Sequence, residues 1–205
     1  MITIALPKGR IADEVLNIFS SIFGDEFCFL DRKLILQKGD FRFLLVRNQD
    51  VPIYVAYQAA DLGVVGLDVL EENKLDIIRL LDLKIGKCKV VLGSKLNVGI
   101  DYNKPQIRIA TKMPNITRDF FSKRAVATDI IKLYGSIELA PLVGLADAIV
   151  DIVETGNTMK QHNLKVDEVI LESSAYLIAN HNSFYAKKTN ILDLYKKIEI
   201  IRDNL

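Results

Sequence analysis

The stretch DIVETGNTMK (151–160) places Thr155, Gly156 and Thr158 directly after an apolar, β-branched run, with Asp151 and Glu154 just ahead of them. A turn between strand and helix offers free N–H groups to an anion, and threonine hydroxyls add donors. Thr-Gly-x-Thr has the size of a loop that wraps one phosphate monoester, with Asn157 at its centre. The two acids would repel that phosphate, so they need another partner. Sugar hydroxyls or a phosphate-bound Mg2+ would serve, and a phosphorylated ribose meets both demands. Taken alone, the same residues also suit a turn in which Thr155 is only a helix cap.

A second stretch, LPKGR (6–10), sets Lys8 and Arg10 on either side of Gly9, where a strand pattern gives way to a helical one. The cations could clamp phosphate oxygens, and glycine permits close approach of the backbone. A solvated turn with two surface charges fits that spacing as well. Arg32, in DRKL (31–34), is either a further anion-binding group or an ordinary surface charge. Glu138, in IKLYGSIELAP (131–141), opens a short helix, where a carboxylate complements the N-terminus whether or not it meets a ligand. Neither GxxxxGK[ST] nor GxGxxG occurs, so the sequence arguments for a Walker loop and for a dinucleotide fold are missing.

The elements that must position these residues alternate. ITIAL (2–6), FRFLLV (41–46), LGVVG (62–66), IIRLLDLKI (77–85) and KCKVVLGS (87–94) read as strands. Residues 10–23 have apolar positions at helical spacing. Asp50-Val51-Pro52 reads as a capped helix start running to Ala60, and a short helix is expected around 68–73. The polar, proline-containing VGIDYNKPQ (98–106) is the expected boundary. Beyond it, strands are expected at 107–112, 128–134 and 146–153 and helices at 115–123, 138–143 and 155–162. One or two strands follow within 166–180, then a closing helix with Ile191, Leu194, Ile198 and Ile201 on one face. This is α/β layering, and two successive βα sets predict two lobes with a ligand cleft between them.

Composition narrows the function. The 205 residues are 50% hydrophobic and 26% charged, the profile of a soluble globular protein. A formal net charge of +1 gives no global field for nucleic acid. No apolar stretch approaches the ~20 residues of a membrane span, and no secretory leader pattern opens the chain, so a cytoplasmic protein is expected. Cys28 and Cys88 are expected to be reduced and buried, and no cysteine/histidine spacing suggests a metal site.

Taken together, IALPKGRI (4–11), DRKL, DVPIYVAYQAADLGVVGLDVL (50–70), IATKMPN (109–115) and KLYGSIELAPLVGLADAIVDIVETGNTMKQHNL (132–164) are similar to the ATP phosphoribosyltransferases that open histidine biosynthesis. The resemblance covers most of the chain. It implies transfer of phosphoribose from 5-phosphoribosyl 1-pyrophosphate (PRPP) to N1 of ATP, with release of pyrophosphate and with substrate-bound Mg2+. It also implies a fold like the type II periplasmic binding proteins, with residues 1–94 and 178–205 as an ATP and pyrophosphate lobe and 95–177 as a PRPP lobe. On that resemblance Glu154, Thr155, Gly156, Asn157 and Thr158 would hold the 5-phosphate, and Asp151 and Glu138 the ribose hydroxyls. Lys8, Gly9, Arg10 and Arg32 would meet the pyrophosphate and ATP phosphates, with Arg10 and Arg32 as the catalytic cations. Gly66 and Asp68 would lie along the nucleotide side, or serve as a strand-end glycine and a helix cap. Gln58 and Asp31 depart from the family's usual glycine and serine, and Asp31 could soften the role of Arg32. Because the sequence stops after its closing helix, it resembles the short form of the family. Such chains pair as dimers and join a regulatory subunit resembling histidyl-tRNA synthetase in a hetero-octamer. The alternatives are a ligand binder of the same architecture and a phosphoribosyltransferase acting on another base.

Overall fold

The computed structural model describes residues 1–30, 32–154 and 156–203. They form two compact units: Met1–Gly86 with Ser174–Leu205, and Lys87–Ser173.

In the first unit, β1 (Ile2–Pro7) lies parallel to β3 (Phe41–Val46) and to β4 (Leu62–Gly66). β2 (Ile35–Lys38) pairs antiparallel with β3 through the Gly39-Asp40 turn, and β11 (Ala175–Ala179) runs antiparallel between β4 and β5 (Ile78–Asp82). The sheet order is β2-β3-β1-β4-β11-β5. β2 escapes sequence reading because ILQK is short and lies at the sheet edge, where pairing rather than hydrophobicity defines it. Helix α1 (Arg10–Phe23) buries Val15, Leu16, Ile18 and Phe19, as its apolar spacing predicts. Phe19 meets Phe43 edge-to-face with centroids 5.0 Å apart. Helix α2 (Val51–Ala56) stops short of the expected Ala60, and Gln58 adopts a φ of 60°. Asp50 makes no side-chain cap here. It closes a 3-10 turn with αR dihedrals, so its side chain is not in the extended-backbone position from which a cap reaches back. Helix α3 (Leu67–Asn73) follows β4 directly.

In the second unit, β6 (Cys88–Lys95), β7 (Ile107–Thr111), β8 (Thr128–Lys132), β9 (Ala148–Val153) and β10 (Leu164–Ser173) form a sheet of order β10-β6-β9-β7-β8. β7 runs parallel to both β8 and β9; β6 pairs antiparallel with β9, and β10 pairs antiparallel with β6. Helices α4 (Pro114–Ser122), α5 (Leu139–Leu142) and α6 (Asn157–Gln161) connect the strands. The units change over at 86/87 and 173/174, where sequence reading put 94/95 and 177/178. The cause is β6, whose hydrogen bonds go to β9 and β10. The chain closes with α7 (His181–Ala186) and α8 (Lys188–Asp203), the latter burying Ile191, Leu194 and Ile198. Cys88 is partly buried but Cys28 is exposed, contrary to expectation, because it sits in the irregular stretch between α1 and β2. Among the described residues no helix is long and apolar enough to cross a membrane.

Asp61 ties the first unit together at the start of β4. Its carboxylate accepts the Thr3 N–H at 2.8 Å and Lys187 Nζ at 2.7 Å, and its carbonyl accepts the Asn180 N–H. Burial pushes the Asp61 carboxyl up, but the Lys187 and Thr3 hydrogen bonds outweigh that and hold it below its ordinary value. A depressed native pKa contributes stability that is complete above the unfolded value of ~3.9 and is lost as pH falls through the native one. Asp61→Asn is therefore expected to lower unfolding free energy by about 1–3 kcal/mol at neutral pH. In urea titrations the gap from wild type should narrow below about pH 4.

Candidate active site

Both units gather their chemically apt residues where parallel strands end, the edge at which open α/β sheets bind ligands. In the first unit, Lys8 follows β1, with its N–H on the Val46 carbonyl at the end of β3. Gly9 has φ 105° and ψ −158°, a conformation only glycine takes readily, and space beside it is open. Arg10 opens α1 and pairs with Glu14 at 3.3 Å. Arg32 is exposed in the turn before β2. Since β2 starts opposite Leu44 and the Leu45 N–H bonds the Leu34 carbonyl, that turn arrives at the same sheet edge. Gly66 and Asp68 belong to this edge too, at the junction of β4 and α3. Asp68 is only 4% exposed, and Gly66 is buried and has no side chain to offer.

Sequence reading overlooked Arg47, which follows β3 next to Lys8 and is exposed. It sits beside no recognisable loop motif, and only the parallel pairing of β1 with β3 puts it among the other cations.

In the second unit, Glu138, Asp151, Glu154, Gly156 and Thr158 border one cavity of about 400 Å³. Asn157 begins α6 without lining it, and Thr155 lies outside the described residues. Glu138 precedes α5, and Asp151 projects from β9 near its end. Gly156 caps α6 in the left-handed region at φ 79°, taking the position sequence reading gave to Thr155. With five residues, α6 has little dipole, so individual donors such as the Thr158 hydroxyl matter more than helix charge. The group missed here is Lys112, one residue past β7, whose Nζ lies 3.1 Å from Asp151 Oδ1. In the sequence it is no more than the last residue of a strand pattern.

Close packing seats Met159, which lines the cavity. A Cβ on Gly93 of β6 would fall 2.1 Å from Met159 Cε of α6 and 3.0 Å from the Lys165 carbonyl of β10. Three elements meet through that one glycine. Among the described residues no three His, Cys, Asp or Glu side chains are placed to hold a metal ion.

Comparison with known proteins decides the family. Residues 47–200 match the family model HisG: ATP phosphoribosyltransferase. This chain belongs to the ATP phosphoribosyltransferase family. The family's Wolinella succinogenes protein is 68% identical over 203 residues, covering 99% of this chain and 98% of that one. The Helicobacter hepaticus protein of the same name is 64% identical over 204 residues and 100% of both chains. Among solved structures, a chain of the ATP phosphoribosyl transferase (HisG:HisZ) complex from Thermotoga maritima superposes with TM-score 0.89 at 32% identity, covering all of both chains. The periplasmic aliphatic sulphonate binding protein SsuA from Escherichia coli shares the fold, with TM-score 0.64, 10% identity, and coverage of 98% of this chain and 72% of that one. The chain thus has the fold of the type II periplasmic binding proteins and is a transferase.

Replacing Gly93 with alanine is expected to cost about 1–3 kcal/mol, the range for an overpacked core. The Met159 tip can swing aside, but the Lys165 carbonyl is backbone. Urea unfolding checks this; wild-type stability in Gly93→Ala would mean that β6, β10 and α6 pack more loosely than described.

Proposed function

We propose that the second unit's cavity holds the phosphoribosyl end of PRPP and that the first unit's cationic edge serves the pyrophosphate and the ATP phosphates. The reaction follows from family membership: phosphoribosyl passes from PRPP to N1 of ATP and pyrophosphate leaves, the first step of L-histidine biosynthesis. The observation that carries the site assignment is the joining of Glu138, Asp151, Gly156 and Thr158 around one cavity. Such a mixture of acceptors and donors suits a sugar phosphate, whose hydroxyls donate and whose phosphate accepts.

In this reading Gly156, Thr158 and their neighbours Glu154, Thr155 and Asn157 cradle the 5-phosphate. Glu138 and Asp151 accept from the ribose hydroxyls. Bond breaking at the anomeric carbon leaves an oxocarbenium-like sugar and concentrates negative charge on pyrophosphate. Arg10 and Arg32, supported by Lys8, Gly9 and Arg47, stabilise that growing charge more than the ground state. Gly66 and Asp68 shape the nucleotide side of the same edge. N1 of adenine carries no proton at neutral pH, so no general base is needed, and positioning supplies much of the remaining rate. Mg2+ enters with PRPP, held by oxygen ligands of the substrate as that ion prefers. The Thermotoga maritima relative stands in a complex with HisZ, and we extend that partnership to this chain: dimers of catalytic chains with a regulatory subunit resembling histidyl-tRNA synthetase, in a cytoplasmic hetero-octamer.

The test mixes the chain and its partner subunit with ATP, PRPP and Mg2+ and follows the altered ultraviolet absorbance of N1-substituted ATP. Thr158→Ala is expected to raise KM for PRPP more than KM for ATP; an equal rise in both would count against the cradle. Arg10→Ala and Arg32→Ala are each expected to lower kcat by roughly 10²–10³, the scale for one preorganised donor. An unchanged kcat in both would remove them from the leaving-group role.

A further inference from the structure

A phosphate entering the second unit's cavity meets three bordering carboxylates, Glu138, Asp151 and Glu154, and one lysine among the described lining residues, Lys112. Without a cation there, ordinary Coulomb repulsion would oppose a dianionic phosphate in a partly shielded pocket. The position of Lys112 is tightly set. The preceding residue, Thr111, is fully buried; its hydroxyl donates to the Val150 carbonyl at 2.7 Å and accepts the Met113 N–H at 2.9 Å. The Thr111 carbonyl accepts the Leu133 N–H at 2.9 Å. Strand β7 therefore ends at a fixed point beside β9, and Lys112 emerges next to Asp151, with side chains 32% and 20% exposed. An ammonium has three N–H donors, so it can hold a carboxylate and a second oxygen together.

We propose that Lys112 is a PRPP-binding residue whose ammonium bridges the Asp151 carboxylate and an oxygen of the 5-phosphate. The bridge offsets the repulsion between the acids that grip the ribose and the phosphate beside them, and it keeps Asp151 facing the sugar. This inference rests on the assignment of the cavity to PRPP.

Calorimetric titration of the full chain with Mg-PRPP, ribose 5-phosphate and ATP tests it in wild type, Lys112→Met, Lys112→Arg and Thr158→Ala. Loss of a charge-assisted hydrogen bond predicts that Lys112→Met binds PRPP and ribose 5-phosphate roughly 10- to 100-fold more weakly. ATP affinity and Tm should stay near wild type, and Lys112→Arg should recover part of the loss. Lys112→Gln, which keeps a donor without the charge, gives the same comparison if methionine disturbs folding. Wild-type PRPP affinity in Lys112→Met alongside weakened binding in Thr158→Ala would overturn the lysine's role and leave the cavity assignment standing. Equal weakening for PRPP and ATP with a lowered Tm would also overturn it, as a purely structural effect. No change in either Lys112→Met or Thr158→Ala would overturn the cavity assignment as well.

Discussion

Parallel pairing of β7 with β9 fixes where the charged cavity can form. Thr111 stands opposite Val150, and its buried hydroxyl bonds the Val150 carbonyl, so the two strands cannot slip past one another without stranding a polar group. That register makes Lys112 and Asp151 neighbours, although 39 positions separate Thr111 from Val150. A shift of one residue would turn Asp151 to the other face of the sheet and part it from the lysine.

The first unit uses the same device on different residues. β1 and β3 end together at Pro7 and Val46, and β4 ends beside them, so the loops that follow lie in one row. Antiparallel β2 contributes in reverse: it begins where β3 ends, and so the turn before it carries Arg32 to that row. At the opposite end of the strands, Asp61 and Asn180 tie β1, β4, α2 and the closing helices by hydrogen bonds. The exposed cations Lys8, Arg10, Arg32 and Arg47 thus stand at one end of the strands, and these hydrogen bonds tie the other end.

A pentose phosphate asks opposite things of one pocket. Its hydroxyls want acceptors and its phosphate wants donors, within a few ångströms. In the second unit's cavity, Asp151 on β9 lies 3.1 Å from the Lys112 ammonium, and Thr158 of α6 lines the same space, so acceptors and donors stand close together there. The family's chemistry needs no acid or base of unusual pKa here. It needs charges held in place, and closely packed contacts such as Gly93 against Met159 hold the elements that carry them.

Hydrophobic spacing in the sequence was enough to settle the alternation of strands and helices, because each element's buried face leaves a period of two or of about 3.6 residues. It also marked the phosphate-sized turn near Gly156 and the cationic turn near Gly9, since left-handed or glycine-only backbone leaves glycine behind. Only the tertiary structure decided the company these turns keep. Edge strand β2, the placement of β6 in the second sheet, and the arrival of Arg47 and Lys112 beside their partners all depend on which strands pair. Pairing is a contact between distant segments, and neither Lys112 nor Arg47 differs locally from an ordinary surface cation.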